Sequence, residues 1–144
     1  MKPDAKRILL VDDNPDDVEL TLRAFEHAGL GSRVVVARDG VDALDHLFGV
    51  AGAPPPALPE LVLLDLKLPK LDGLEVLRRI RAHTRTRFLP VVVLTSSSEQ
   101  IDLTTSYDLG ANSFVQKPVS FVEFLDAARQ LGMYWLMLNR TPAA

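Results

Sequence analysis

Leu61-Val62-Leu63-Leu64-Asp65-Leu66-Lys67-Leu68-Pro69 is the stretch on which the fold turns. Four apolar residues run without interruption into a carboxylate, and Pro69 and Asp72-Gly73 follow closely. An unbroken apolar run of this length is the pattern of a strand covered on both faces, as in a parallel sheet flanked by helices. It delivers one acid, Asp65, to the C-terminal edge of the sheet, where open α/β sheets place their chemistry.

The same pattern recurs on either side. Ile8-Leu9-Leu10-Val11 predicts a first strand that ends in Asp12-Asp13-Asn14-Pro15-Asp16-Asp17. Asn14 suits a helix N-cap, Pro15 the first helical position, and Asp16 and Asp17 the first turn, where the positive end of the helix dipole favours carboxylates. Val18, Leu22, Phe25 and Ala28 form one stripe, and Gly29 and Gly31 stop the helix. Val34-Val35-Val36 is a second strand, with Asp39-Gly40 introducing a second helix through Leu44, Leu47 and Phe48. The segment Ala53 to Pro59 carries four prolines, which exclude helix interior and central strand, so it is expected as a stiff surface loop within the domain.

Leu74, Leu77 and Ile80 mark a third helix after the Asp65 strand, and the basic residues Arg78, Arg79, Arg81, Arg85 and Arg87 are expected as a solvated face. Val91-Val92-Val93-Leu94 is a fourth strand ending in Thr95, with Ser98 expected to cap a fourth helix bearing Ile101, Leu103 and Leu109. Asn112 to Gln116 is the fifth strand, ending at Lys117-Pro118, and Ser120 opens a last helix whose core side is expected to carry Phe121, Phe124, Leu125, Ala128, Leu131, Trp135 and Leu138. Strand and helix thus alternate five times, which predicts an α/β, doubly wound, five-stranded parallel sheet with five helices.

The 144 residues suit one domain with a sizeable core, and the net charge of −3 leaves no overall basic footprint for nucleic acid. With no cysteine, disulfides and thiolate chemistry are excluded. The N-terminal apolar run is too short for a signal peptide or a membrane span, so no membrane association and a cytoplasmic location are expected.

Four strand ends carry something polar: Asp12 and Asp13, Asp65, Thr95, and Lys117. In a parallel sheet they share one edge. Singly, each has a plain structural explanation, since an Asp after a strand is most often a helix cap and Lys-Pro most often a turn. Four strand ends agreeing on one chemistry are harder to explain as caps. Three carboxylates placed together repel one another and call for a cation; with oxygen ligands only, Mg2+ fits. Lys117 adds a second positive charge and Thr95 a hydroxyl donor. The set suits phosphoryl transfer onto Asp65, and a carboxylate ordinarily ionised at neutral pH needs no general base. His27, His46 and His83 fall in or just after helices, and Asp16, Asp17 and Asp72 are read as first-turn and turn residues.

Asp12-Asp13, Asp65, Thr95 and Lys117-Pro118, with Asp72-Gly73 after the acceptor strand, resemble over about the whole chain the response-regulator receiver domain of two-component signalling. The resemblance implies the flavodoxin-like strand order 2-1-3-4-5 and a single receiver domain over 1–144, with 132–144 a C-terminal helix extension and tail. It implies that Asp65 accepts phosphate from a sensor histidine kinase. Asp13, Asp65 and the Lys67 backbone carbonyl are expected to bind Mg2+ directly, and Asp12 through water. Thr95 is expected as the switch hydroxyl, Phe114 as the aromatic that reorients with it, and Lys117 as the phosphate partner. Where many receivers have Tyr, Phe114 cannot hydrogen-bond, so its switch would be one of packing. More narrowly, Asp12-Asp13-Asn14-Pro15-Asp16-Asp17, Ala111-Asn112-Ser113-Phe114 and Tyr134-Trp135-Leu136 are similar to the small regulators that partner bacterial phytochrome kinases. The proline-rich segment departs from the compact receiver pattern without touching a site residue.

A last helix from Ser120 to about Leu138 would be about 28 Å long. Its end, Met133 to Leu138, is apolar all round, so it either folds back over the core or meets a partner, and a homodimer through this segment is expected. The function expected is that of a signalling protein whose phosphorylation changes association, catalysing only its own phosphorylation and dephosphorylation and carrying no output domain. Two other classes are weighed. A phosphate-ester hydrolase using a transient aspartyl-phosphate needs an acid two residues after the nucleophile, where Lys67 stands. A flavodoxin-like ligand-binding module needs a phosphate loop after the first strand, where Asp12-Asp13 repel phosphate.

Overall fold

The computed structural model describes residues 6–142. The ends of the expected 1–144 unit, 1–5 and 143–144, lie outside the described residues. Strands β1 (Ile8–Val11), β2 (Val34–Ala37), β3 (Leu61–Leu64), β4 (Val91–Thr95) and β5 (Ser113–Gln116) alternate with helices α1 (Pro15–His27), α2 (Gly40–Phe48), α3 (Gly73–Ala82), α4 (Gln100–Asp108) and α5 (Phe121–Gly132). All strand pairs are parallel, in the order β2-β1-β3-β4-β5 that the receiver resemblance implies.

The apolar runs are explained by what covers each face. Alternate residues of a strand point to opposite sides. Leu9, Val11, Val62, Leu64, Val91 and Val93 pack with Leu47 of α2 and Val76, Leu77 and Ile80 of α3. Ile8, Leu10, Leu61, Leu63 and Val92 pack on the other side with Val18 and Phe25 of α1, Ala128 of α5 and Leu136 beyond it. No position of β1, β3 or β4 faces water, so none can be polar until the strand ends.

Helix starts follow local chemistry. Asn14 Oδ1 accepts from the backbone N–H of Asp16 and Asp17 at 2.9 and 3.2 Å, and Asp39, Asp72 and Ser120 cap α2, α3 and α5 in the same way. The fourth helix differs from expectation. It begins at Gln100, so Ser98 lies too early to cap it. Ser97 organises the turn instead, accepting from Glu99 N–H at 3.2 Å and donating to Asp102 at 2.6 Å. Ile101 is 69 % exposed, so the stripe assigned to this helix is buried only in part, with Leu103 half-buried and Leu109 packed against the core.

The last helix also departs from a single straight rod. It is α-helical to Gly132 and continues as a π-helical segment over Met133–Leu138. The wider turn changes which side chains face inward. Leu136 is fully buried, while Leu138 and Phe121, both expected inside, are 71 % and 46 % exposed. The junction sits tightly on α1, because a Cβ at Gly132 would lie 2.8 Å from both Leu30 and Phe25. Lys6 Nζ, at the mouth of β1, donates to the Leu136 carbonyl at 2.8 Å.

The basic run is only partly a solvated face. Arg78 and Arg79 pair with Glu75 on the surface of α3 and hold its carboxyl at about 2. Arg81 turns inward and donates to the carbonyls of Gly110 and Leu89 and to Asn112 Oδ1, at 2.9, 2.7 and 2.8 Å. Arg85 donates to the carbonyls of Leu47 and Pro56, tying down the exposed proline loop. The Leu47, Leu89 and Gly110 carbonyls lie at or beside element ends and the Pro56 carbonyl in the loop, and the guanidinium groups supply donors to them.

Candidate functional site

The register of the sheet brings the four polar strand ends together. Ile8 to Val11 run beside Leu61 to Leu64, and Leu64 beside Val93, so Asp12 and Asp65 leave neighbouring strands at the same height. Asp65 N–H donates to the Val11 carbonyl and Lys117 N–H to the Thr95 carbonyl, which fixes both backbones one residue past the strands. The β3–α3 connection then turns away sharply. A Cβ on Gly73 would stand 2.2 Å from the Asp65 carbonyl oxygen, so only glycine fits beneath the acid.

Lys117 occupies the centre. Its ammonium lies 2.8 Å from Asp12 Oδ2, 2.8 Å from Asp17 Oδ2 and 2.9 Å from Asp65 Oδ2, using all three of its N–H donors. The second oxygens of the two buried acids are also held: Asp12 Oδ1 accepts from Asn14 N–H at 3.0 Å and Asp65 Oδ1 from Leu66 N–H at 2.7 Å. One ammonium shared among three acids satisfies itself better than it satisfies any one of them. Burial pushes the Asp12 carboxyl up, and the bonds from Lys117 and Asn14 only partly oppose it. Burial alone would lower Lys117, but its bonds to Asp12 and Asp17 outweigh it and raise the ammonium above its ordinary range.

Of the residues read from the sequence, Asp12, Asp65 and Lys117 are in direct contact. Asp13 is exposed at the rim, and the side chain of Lys67 points into solvent beside the site. Thr95 is fully buried, and its hydroxyl accepts from Ser97 N–H at 3.3 Å, within its own loop. Phe114 is half-buried against the α3 side of the sheet. Asp17 was assigned to the helix dipole alone, and that reading is incomplete: it also binds Lys117. The signal was its place in the first turn of α1, which lies over the end of β1 where Lys117 arrives.

Among the described residues, no three acidic or histidine side chains form a ready-made metal cage. Mg2+ does not need one. It is commonly held by one or two carboxylates with carbonyl and water oxygens. The donors at this edge are carboxylate and carbonyl oxygens only, so the residues present fit a hard divalent cation and no softer one.

Residues 8–129 match the response regulator receiver domain model. The chain is 45 % identical over 135 residues to the probable methanogenesis regulatory protein FilR2 of Methanothrix harundinacea, covering 94 % of this chain and 86 % of that one. It is 33 % identical over 139 residues to the response regulator Rcp1 of Synechocystis, covering 96 % and 95 %. The Mn2+-bound form of Rcp1 covers 96 % of this chain and 100 % of its own, with a TM-score of 0.85. The phosphorylated cyanobacterial phytochrome response regulator RcpA shares the fold with a TM-score of 0.88 at 34 % identity, over 96 % of this chain and 99 % of its own. The bacteriophytochrome response regulator AtBRR is 52 % identical with a TM-score of 0.74, over 96 % and 100 %. No helix among the described residues is long and apolar enough to cross a membrane. By its sequence, its strand order and the acids and lysine gathered at its sheet edge, this chain belongs to the response regulator receiver domain family.

Proposed function

We propose that Asp65 is the phosphoacceptor of this receiver, that it is charged by a sensor histidine kinase in the cytoplasm, and that the kinase is a bacterial phytochrome. The observation that carries the acceptor assignment is the Asp65 carboxylate, nearly buried at the sheet edge with Lys117 2.9 Å from Oδ2. The kinase assignment rests on similarity to RcpA and AtBRR, both phytochrome response regulators. Asp65 attacks the phosphorus of a phosphohistidine, an Oδ–P bond forms, and the P–N bond breaks with its electrons returning to the imidazole. Lys117 holds its ammonium where charge collects on the transferred oxygens, and the Thr95 hydroxyl, at the adjacent strand end, donates to one of them. Asp13, Asp65 and the Lys67 carbonyl would hold Mg2+, which when bound supplies charge neutralisation at the same oxygens. Asp65→Asn should abolish Mg2+-dependent labelling by a small phosphodonor. Labelling of another aspartate at the wild-type rate in that variant would sink the assignment.

Phosphorylation is read out, in this proposal, by self-association. Met133, Tyr134, Met137 and Leu138 are 46 %, 49 %, 55 % and 71 % exposed, an apolar cluster at the end of the last helix. A homodimer through this segment and α5 covers it. Light scattering at tens of micromolar should give a dimer mass that changes with an acyl-phosphate mimic, and a monomer in both states would remove the proposal.

A further inference from the structure

We infer that Asp17 is a positioning residue that shares the Lys117 ammonium with Asp65 and sets how readily that ammonium passes to the incoming phosphoryl group. The inference rests on Asp65 being the acceptor. Lys117 has three N–H donors, and Asp12, Asp17 and Asp65 take all three. A phosphoryl oxygen can therefore be bound only if one carboxylate is released.

The three acids differ in what release costs them. Asp12 is 2 % exposed and Asp65 8 %, so neither has water to replace the bond. The Asp17 side chain is 33 % exposed. It also sits in the first turn of α1, where the helix dipole stabilises a carboxylate that has lost its cation. Asp17 is thus the partner that lets go. In the step itself the Asp65 Oδ–P bond forms as the donor's bond to phosphorus breaks, no proton changes owner, and one Lys117 N–H turns from Asp17 to a phosphoryl oxygen. Until then Asp17 competes with the phosphoryl group for the ammonium.

The test uses the full chain with acetyl phosphate and Mg2+, comparing wild type, Asp17→Asn and Asp16→Asn. Asp16 lies in the same turn and carries the same charge but makes no contact with Lys117 among the described residues. Asp17→Asn should label Asp65 about fivefold faster, the worth of one partly exposed ion pair, with acetate leaving as before. Asp16→Asn should label at the wild-type rate. A second readout needs neither metal nor donor: the Lys117 ammonium, bonded in three directions, should exchange slowly with water in an NMR spectrum of wild type and Asp16→Asn, and faster in Asp17→Asn. Equal labelling rates for wild type and Asp17→Asn, equal acceleration by both variants, or unchanged ammonium exchange would each overturn the inference. Failure of the acceptor assignment is separate and shows in Asp65→Asn, which would then label like wild type.

Discussion

Lys117 is the residue whose chemistry is most altered by folding. Its ammonium, ordinarily near 10.5, is raised because the bonds to Asp12, Asp17 and Asp65 outweigh its burial. A cation held above its unfolded value contributes stability that is fully present below about pH 10.5 and is lost as the pH climbs through the folded value. Lys117→Met removes that contribution and leaves Asp12 buried without its cation. It should cost about 3 kcal/mol in urea denaturation at neutral pH, since breaking a buried ion network strands the remaining charge. The gap between wild type and variant should close as the pH is taken above 10.5. A gap of constant size across that range would show that Lys117 contributes packing alone. Asp12 and Asp65 were legible in the sequence because each ends an apolar strand, and Lys117 because it closes the shorter, less apolar fifth strand before Pro118, on the edge that parallel strands share. Asp17 was legible only as a first-turn residue, since its contact with Lys117 depends on where that turn sits over the sheet edge, which no spacing records.

At the scale of elements, α5 and its extension show where periodicity reaches its limit. A stripe repeating every three to four residues assumes one helical pitch, and under that assumption Leu138 belongs to the core. The π-helical segment breaks the pitch after Gly132, brings Leu136 inside and turns Leu138 out. Leu136→Ala should cost about 3 kcal/mol, the usual range for emptying a buried leucine site, whereas Leu138→Ala should stay within about 0.5 kcal/mol. Equal losses for the two in thermal or urea unfolding would contradict the buried position of Leu136. In the fourth helix the error had another source. Residue type alone does not place its cap, because three serines in a row, Ser96 to Ser98, offer that type at every position. Only the backbone path singles out Ser97. The other starts were legible because Asp39 and Asp72 each stand alone before an apolar stripe and Asn14 is marked by Pro15 at the first helical position.

For the whole molecule, the doubly wound parallel sheet was legible because strands without a polar position must be covered on both sides and crossovers are right-handed, while the strand order came from the receiver resemblance. What composition could not reveal is which charges fold inward. Arg81 belongs to a basic run that resembles a solvated face, yet it joins α3 to the entry of β4 and to the turn before β5 through Leu89, Gly110 and Asn112. Arg81→Met takes the guanidinium donor from the Leu89 and Gly110 carbonyls, leaving Asn112 Oδ1 with the Val91 N–H alone, and should lower stability by about 2 kcal/mol in urea, with labelling of Asp65 retained in the folded fraction. A loss within error would place Arg81 with the solvated arginines. The clasp between the two ends of the fold bears on synthesis. Phe25 is fully buried, but what covers it includes Gly132, with Leu136 in the same cluster, and Leu136 is also the residue that Lys6 holds. On a ribosome moving at ordinary speed, about ten seconds separate the emergence of Phe25 from that of its cover. Through that interval Phe25 stays without its cover, and its burial waits on the segment that carries Gly132 and Leu136.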